Sequence, residues 1–186
     1  MEDLREIQQR LEKKLKKERY IHTVGVMYTA ASLAMRYGED IATAMTAGLL
    51  HDCGKFASIV EQIELCKKYK IPLTEFELNV PALIHAKLGV FLAEEEYHIT
   101  DRRVLDAIQY HTTGKPNMNL LEKIIYLADY IEPGRKMIPR LPEVRTLSFT
   151  EIDRAVCLCS ELTLSYLERV GRTVDPLTRQ TYEYYK

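Results

Sequence analysis

The sequence predicts an all-α fold, and three observations support that prediction. Apolar residues recur at spacings of three and four along the whole chain, as one buried helix face requires. No stretch shows the strict alternation of a half-buried strand. Only eight Gly and seven Pro interrupt the 186 residues, which suits long helices better than turn-rich β structure. The length and a hydrophobic content of 46% predict a single domain, residues 1–186, with a sizeable core.

The first half of the chain divides into helices at residues that favour helix ends. An apolar stripe at positions 4, 7, 11 and 15 marks the first helix. Gly38 and Gly54 follow periodic stretches, and glycine is common just past a helix C-terminus. Pro81 stands where a helix can begin, and Thr100 or Asp101 can cap the next one. The predicted helices cover about residues 4–15, 20–37, 40–53, 58–69, 81–97 and 101–111.

Helices in the second half are predicted mainly from capping residues. Asn119 and Glu122 have the spacing of a capping box and open a helix that continues to position 131. Ser148 and Glu151 have the same spacing and predict the start of a long helix that ends before position 171. Near the end of the chain, Asp175 is followed directly by a proline, which predicts the cap and first residue of a short final helix.

The least helical stretch is residues 133–147, which contains three prolines and one glycine. Proline disrupts the interior of a helix, so we predict a loop over one end of the helical body. The predicted domain then consists of a core at about residues 19–132, this loop, and C-terminal helices within residues 148–186.

The charge pattern argues against nucleic acid and membranes as partners. The net charge is −1, and we find neither a secretory signal nor an apolar run long enough to span a bilayer. A cytoplasmic protein is therefore expected. Residues 10–19 contain six Lys or Arg and two Glu. We interpret this segment as a solvated outer face of the first helix rather than a nucleic-acid contact.

Six residues of metal-binding type fall on the predicted inward faces of helices. Histidine and aspartate on such a face cost free energy unless something inside satisfies them. One or two metal ions would satisfy all six together, and nitrogen and carboxylate ligands suit Fe, Mn, Co, Ni and Zn. An aspartate near a helix end could also lie between two ions, with one oxygen toward each. The six are His22, His51, Asp52, His85, His111 and Asp129.

Short strings around these residues resemble a known family. The string HDCGK at residues 51–55 is similar to the HD-x-G-K form of the HD superfamily of metal-dependent phosphohydrolases. The additional His85 and His111 resemble its dinuclear branch. Further strings, which span about residues 19–180, are similar to the bacterial YqeK family of symmetrical bis(5'-nucleosyl)-tetraphosphatases. They are RYIHT at 19–23, GLLHD at 48–52, IHA at 84–86, HTTG at 111–114, ADYIEPGR at 128–135 and RTVDP at 172–176.

The resemblance implies a multi-helix bundle around a dinuclear metal site, and hydrolysis of diadenosine tetraphosphate to two ADP. It also implies that the two metal ions are iron. The implied ligands of the first ion are His22, His51, Asp52 and Asp129, and those of the second are Asp52, His85 and His111. Asp52 then bridges the two ions and is assigned a catalytic role.

Residues near the six candidate ligands are expected to contact the substrate. Lys55 follows the His-Asp pair by one short turn, so its ammonium can return toward a phosphate, and we assign it a catalytic role as well. Arginine can hold phosphate through two parallel hydrogen bonds. The full predicted substrate set is Gly25, Lys55, Thr112, Gly114, Arg135, Lys136 and Arg172.

Other functions fit parts of the same pattern. They are another HD-type phosphodiesterase or nucleotidase, a di-iron oxygenase, and a nucleotide-sensing protein without activity. A cyclic-dinucleotide phosphodiesterase is disfavoured because no Gly-Tyr-Pro string follows Lys55. The expected partner is a dinucleoside polyphosphate or a purine nucleotide diphosphate, and a homodimer is left open.

Overall fold

Residues 3–186 are described by the structure, a computed structural model, and within them only helices, turns and loops occur. The all-α prediction is confirmed. The helices are α1 (Leu4–Lys14), α2 (Lys17–Tyr37), α3 (Ile41–Leu50), α4 (Ile59–Lys68), α5 (Glu75–Asn79), α6 (Ile84–Glu95), α7 (Arg102–Tyr110), α8 (Leu120–Ile131), α9 (Leu141–Thr150), α10 (Ile152–Arg169) and α11 (Pro176–Tyr185). Two 3₁₀ turns, Cys53–Phe56 and Pro81–Leu83, precede α4 and α6. Across the described residues, each helix is too short or too polar to cross a bilayer.

Helices α2 and α3 pack tightly along each other because small residues line their contact. Ala30 of α2 and Ala44 and Ala47 of α3 are fully buried. A Cβ added at Gly48 would lie 3.0 Å from the Cα of Met27, so the two backbones approach closely there. This packing brings the first half of α2 beside the end of α3.

Helix α8 runs through the middle of the molecule and packs against α2, α3, α7 and α10. Leu121, Ile124, Ile125, Leu127 and Ala128 are all fully buried, so the helix is apolar on most of its surface. Its N-terminus carries the capping box predicted from the sequence. A helix enclosed in this way can hold a polar side chain inside the protein only where a partner satisfies it.

The third helix ends earlier than predicted, at Leu50 rather than at position 53. Asp52 has φ −109° and ψ 16°, outside the helical range, and the chain then makes the 3₁₀ turn Cys53–Phe56. Gly54 in that turn touches α6, and a Cβ there would overlap the carbonyl oxygen of His85. The chain therefore leaves the helix before Asp52 to fit against α6, a tertiary constraint that periodicity does not contain.

The segment predicted as a loop contains helix α9 in its second half. Leu141 and Val144 are fully buried on one face of α9, while Pro142 lies in the first turn, where its missing N–H breaks no helical bond. The Ser148 hydroxyl is buried and donates to the Val144 carbonyl at 2.7 Å, so it caps nothing. Glu151 is the non-helical residue between α9 and α10. The predicted Ser148–Glu151 capping box is therefore wrong.

The short helix α5 is absent from the sequence prediction. Its N-terminus is a capping box in which Thr74 and Glu77 each bond the other's backbone N–H. Pro81, predicted to open the next helix directly, instead opens the 3₁₀ turn before α6. These elements carry the chain from α4 across to the start of α6, where His85 lies in the first turn.

The basic segment at residues 10–19 is divided between the surface and the interior. Arg10 donates to the carbonyl oxygen of Glu96, and Lys14 pairs with the carboxylate of the same residue. Arg19 instead points into the molecule from the first turns of α2, where it pairs with a buried aspartate. The prediction of a solvated outer face is therefore wrong for Arg19.

Candidate metal centre

Asp52 lies at the centre of a buried cluster, and its two carboxylate oxygens face different pairs of imidazoles. Oδ2 lies 3.4 Å from Nε2 of His51 and 3.9 Å from Nε2 of His22. Oδ1 lies 3.5 Å from Nε2 of His85 and 3.5 Å from Nε2 of His111. Asp52 and His51 are fully buried. One carboxylate therefore separates two groups of nitrogen atoms, which is the arrangement of a bridging ligand.

Asp129 completes the Oδ2 side of the cluster. It projects from the last turn of α8, and its Oδ1 lies 3.0 Å from Nε2 of His22 and 3.8 Å from Nε2 of His51. Its side chain is 20% exposed, so this side of the cluster opens toward solvent. Within residues 3–186, two sets of three side chains have ligand atoms within 4.8 Å of one another, close enough to hold a metal ion. They are His22, His51 and Asp129, and His51, Asp52 and His111.

The orientation of three of the imidazoles is fixed by the backbone three residues earlier. In each case Nδ1–H donates to a carbonyl oxygen, so Nε2 carries the lone pair and points into the cluster. Burial also lowers the pKa of His51 and His85, which keeps both rings neutral at neutral pH. The pairs are His51 with Gly48 at 2.7 Å, His85 with Ala82 at 2.6 Å and His111 with Ile108 at 2.7 Å.

His22 is oriented by Glu132, a buried residue outside the predicted site. The Nδ1–H of His22 donates to Oε1 of Glu132 at 3.1 Å, and Gly134 N–H donates to Oε2 at 2.5 Å. A Cβ on Gly25 would lie 2.6 Å from the same carboxylate. The space beside Gly25, a member of the predicted substrate set, is therefore filled by Glu132, and this glycine serves packing rather than substrate contact.

The ligand atoms of the cluster fit metal ions, because imidazole lone pairs and carboxylate oxygens face one another with no hydrogen atom between them. Nε2 of His22 and Nε2 of His51 are buried and make no hydrogen bond, although each faces a carboxylate oxygen. Nε2 of His85 lies 3.1 Å from Nε2 of His111, a close approach of two lone pairs. Such an arrangement is repulsive unless cations lie between the atoms. Imidazole and carboxylate ligands with this geometry could hold two ions.

Three basic side chains reach the two carboxylates. Nη1 of Arg19 lies 2.8 Å from Oδ2 of Asp52, and Nζ of Lys55 lies 2.9 Å from Oδ1. Arg135 pairs with the carboxylate of Asp129 and donates from Nε to its carbonyl oxygen at 2.7 Å. Burial opposes ionisation of both aspartates, but the charged groups beside them, Lys55 at Asp52 and Arg135 at Asp129, help to hold the pKa of each well below its usual range. Both carboxylates are therefore charged at neutral pH.

A basic cavity of 640 Å³ opens from the cluster on the side of His22. Its basic members come from the start of α2 and from the segment after α8, and they include Arg135 and Lys136 of the predicted substrate set. Lys16 and Arg19 face them from α2. The basic cavity is thus defined by Lys16, Arg19, His22, Arg135 and Lys136.

A second opening, the Arg172 cleft, lies beyond His111 and has a volume of 540 Å³. Thr112 lines it, and its hydroxyl oxygen lies 3.1 Å from Nε2 of His111 and 3.4 Å from Nε2 of His85. Arg172, which is exposed, lines the same cleft. Gly114 has φ 65°, and a Cβ there would lie 2.7 Å from Thr181, so it faces α11 rather than the cleft.

Helical spacing holds the signals for two residues that the sequence prediction missed. Arg19 lies three residues before His22, and Glu132 lies three residues after Asp129. Residues three apart share one side of a helix or the turn that ends it. The sequence therefore contains a signal for both residues, about one helical turn before His22 and about one turn after Asp129.

Replacing Glu132 by glutamine is expected to weaken metal binding by roughly tenfold to a hundredfold, because the charged acceptor that orients His22 is lost. Titration of metal-depleted protein with Mn²⁺ in a calorimeter measures the effect. Glu143→Gln is the matched control, since that glutamate is exposed on α9 and pairs with Arg140. Equal Kd values for the two variants would show that Glu132 does not support the site.

Comparison with known proteins places this cluster in a family. The HD domain family matches residues 19–134. A symmetrical bis(5'-nucleosyl)-tetraphosphatase from Bacillus subtilis is 41% identical over 174 residues, which cover 94% of this chain and 92% of the relative. A Staphylococcus aureus protein of the same name is 33% identical over 174 residues, with coverage of 92% and 89%.

A solved structure agrees with the whole fold. It is a Clostridium acetobutylicum protein described as a predicted HD superfamily hydrolase involved in NAD metabolism. It superposes with a TM-score of 0.94 and 37% identity, covering 100% of this chain and 97% of the other. The chain therefore belongs to the HD-domain superfamily and, within it, to the YqeK family.

Proposed function

We propose that this chain hydrolyses dinucleoside polyphosphates and cuts diadenosine tetraphosphate symmetrically into two ADP. The observation that carries the proposal is the position of Asp52, whose two oxygens each face two imidazole nitrogens. Relatives named for this activity, with up to 41% identity over more than nine-tenths of the chain, support it further.

The proposed cofactors are two metal ions, with iron as the first candidate and Mn, Co, Ni or Zn as chemically acceptable substitutes. His22, His51, Asp52 and Asp129 would hold one ion, and Asp52 would share the other with the remaining two histidines. Ions bound there would supply Lewis-acid polarisation of phosphoryl oxygens and lower the pKa of a nearby water.

The protein's own cations would bind and orient the polyphosphate. Lys55 lies against Oδ1 of Asp52 with 30% of its side chain exposed, so its ammonium can turn from the carboxylate to a phosphate. Arg19 and Arg135 hold the equivalent position on the Oδ2 side and both line the basic cavity. In a site shielded from water, fixed positive charge stabilises the charge that spreads over the transferred phosphoryl group.

The leaving group removes the need for a strong general acid. Cleavage at the central bridge releases ADP, whose terminal phosphate is a stable anion at neutral pH. Stabilisation of negative charge then contributes more than protonation of the leaving oxygen. The three cations Lys55, Arg19 and Arg135 beside the two aspartates agree with this requirement.

Symmetrical cleavage requires room for a nucleotide on each side of the metal centre. The basic cavity opens beside His22, and the Arg172 cleft opens beyond His111. We assign one half of the substrate to each opening. Thr112 and Arg172 would contact the half in the cleft, and Arg135 and Lys136 would contact the other.

The other candidate functions have less support. An oxygenase would use the same six ligands, but the charged side chains at the openings match polyphosphate better than an uncharged substrate. A sensing protein without activity would not need basic side chains against both oxygens of Asp52. The curated relatives that cover most of the chain carry hydrolase names.

Incubation of the metal-loaded protein with diadenosine tetraphosphate tests the proposal. The expected result is ADP as the sole nucleotide product, because each opening holds one nucleotide and its two nearest phosphates. Separation of products by ion-exchange chromatography measures it. A mixture of AMP and ATP would refute the symmetrical cut, and an intact substrate would refute the hydrolase.

A further inference from the structure

An apolar cavity of 500 Å³ adjoins the basic cavity, and none of the six candidate ligands lines it. The two cavities share Tyr130 and Ile138 as a common wall. Its other walls come from the second half of α10 and include Leu162, Tyr166 and Arg169. The apolar cavity is therefore a direct neighbour of the basic cavity, which itself reaches His22 of the cluster.

Large apolar side chains are exposed at this cavity and next to it. Tyr166 is 47% exposed and Ile138 is 42% exposed, and Met137 beside them is 68% exposed. Single exposed apolar side chains are common, but a group of them at a cavity next to a reactive site indicates a binding surface. The guanidinium of Arg169 lies 5.8 Å from the centre of the Tyr166 ring.

The polar groups of the cavity suit a neutral, flat ligand. Tyr130 lines both cavities, and its phenolic hydroxyl can donate or accept a hydrogen bond. Thr163 and Ser165 add hydroxyl groups at the wall. Arg169 supplies a planar cation that can stack on an aromatic ring. Among residues 3–186, Arg169 is the one basic side chain that lines this cavity, whereas four line the basic cavity, so the apolar cavity is less suited to an anionic ligand.

We propose that the apolar cavity binds the purine base of the nucleotide half whose phosphates occupy the basic cavity. The inference rests on the proposed function and names the part of the protein that recognises one base. A nucleoside diphosphate is highly charged at one end and flat and largely apolar at the other. The basic and apolar cavities, which share Tyr130 and Ile138, place the same two properties side by side.

A tryptophan reporter tests binding directly, because the chain contains no tryptophan. In Tyr166→Trp, addition of ADP is expected to quench the fluorescence, since a stacked base lies against the indole. Inorganic pyrophosphate is expected to leave the fluorescence unchanged, because it has no base. Tyr28→Trp is the control, since Tyr28 is 59% exposed on α2 and lines neither cavity. Equal responses of the two variants to ADP would overturn the inference.

Kinetics supply the second test. Loss of one base-stacking contact in Tyr166→Ala is expected to raise KM for diadenosine tetraphosphate roughly tenfold and to leave kcat nearly unchanged, because stacking acts on substrate and transition state alike. Tyr28→Ala is expected to match the wild type. An unchanged KM in Tyr166→Ala would also overturn the inference. If the wild type releases no ADP from this substrate, the proposed function fails instead, and the fluorescence of Tyr166→Trp still decides the cavity's ligand.

Discussion

Replacing Asp52 by alanine is expected to abolish turnover and to remove bound metal. Each oxygen of Asp52 faces two imidazoles, so its loss takes a ligand from both halves of the cluster. The site would also lose the negative charge of the Asp52 carboxylate, which favours the binding of cations. Loss of several kcal/mol of transition-state stabilisation corresponds to a rate lower by about 10³-fold or more.

Two measurements on the Asp52→Ala variant separate these effects. Elemental analysis gives its metal content, and release of ADP gives its rate. Circular dichroism checks that the helices persist. Asp153→Ala is the matched control, because Asp153 is 62% exposed and pairs with Lys123, which is not one of the ligands. Retained metal with near-normal turnover in Asp52→Ala would rule out the bridging role.

Replacing Lys55 by alanine is expected to lower kcat by about 10²-fold while the metal content stays intact. The ammonium of Lys55 lies 2.9 Å from Oδ1 of Asp52 but is not one of the six ligands. Its removal should therefore take away a cation that meets the phosphate and leave the metal ligands in place. Lys55→Arg, which keeps the charge, should recover part of the lost rate.

Steady-state kinetics and metal analysis of the same preparation measure the Lys55 effect. The control is Lys67→Ala, because Lys67 is exposed on α4 and lines neither the basic cavity nor the Arg172 cleft. A rate in Lys55→Ala equal to that of the control would assign Lys55 to the surface. Loss of metal from Lys55→Ala would show that it stabilises the cluster rather than the substrate.

Much of the fold follows from local sequence signals. The glycine after α2 has φ 79° and ends the helix as expected, and the box of Asn119 and Glu122 opens α8. Both signals act within a few residues, so a single sequence contains them in full. The end of α3 differs because it depends on contact between Gly54 and α6, which are distant in the sequence.

The C-terminal part shows why composition can mislead. The prolines after α8 disfavour a helix interior, but Pro142 stands in the first turn of α9, where a helix accepts it. The spacing of Ser148 and Glu151 matches a capping box, yet Ser148 is buried within α9. A polar residue at the right spacing can therefore be a buried helix residue that bonds its own backbone.

The six proposed ligands were accessible to sequence reasoning because buried histidine and aspartate have few acceptable explanations. The structure brings them together in one cluster. Most of their orienting groups are backbone carbonyl oxygens, which leave no mark in the sequence. Glu132 is the exception, as a side chain one turn beyond Asp129.

Contacts with substrate depend on the shape of the surface, which spacing alone does not describe. Gly25 and Gly114 both belong to the predicted substrate set, yet Glu132 fills the space beside the first and Thr181 covers the second. Arg19 looks like part of a solvated basic segment, but it reaches Asp52 from the start of α2. In each case the deciding partner lies on a different helix.

Metal content of the wild-type protein tests the central claim most directly. The protein is purified without oxygen and without added metal, and its metal ions are counted by elemental analysis alongside its rate of ADP release. The two groups of imidazole nitrogens on either side of Asp52 predict about two metal ions per chain. Removal of these ions is expected to abolish activity. Full activity in protein that holds no metal would contradict the account.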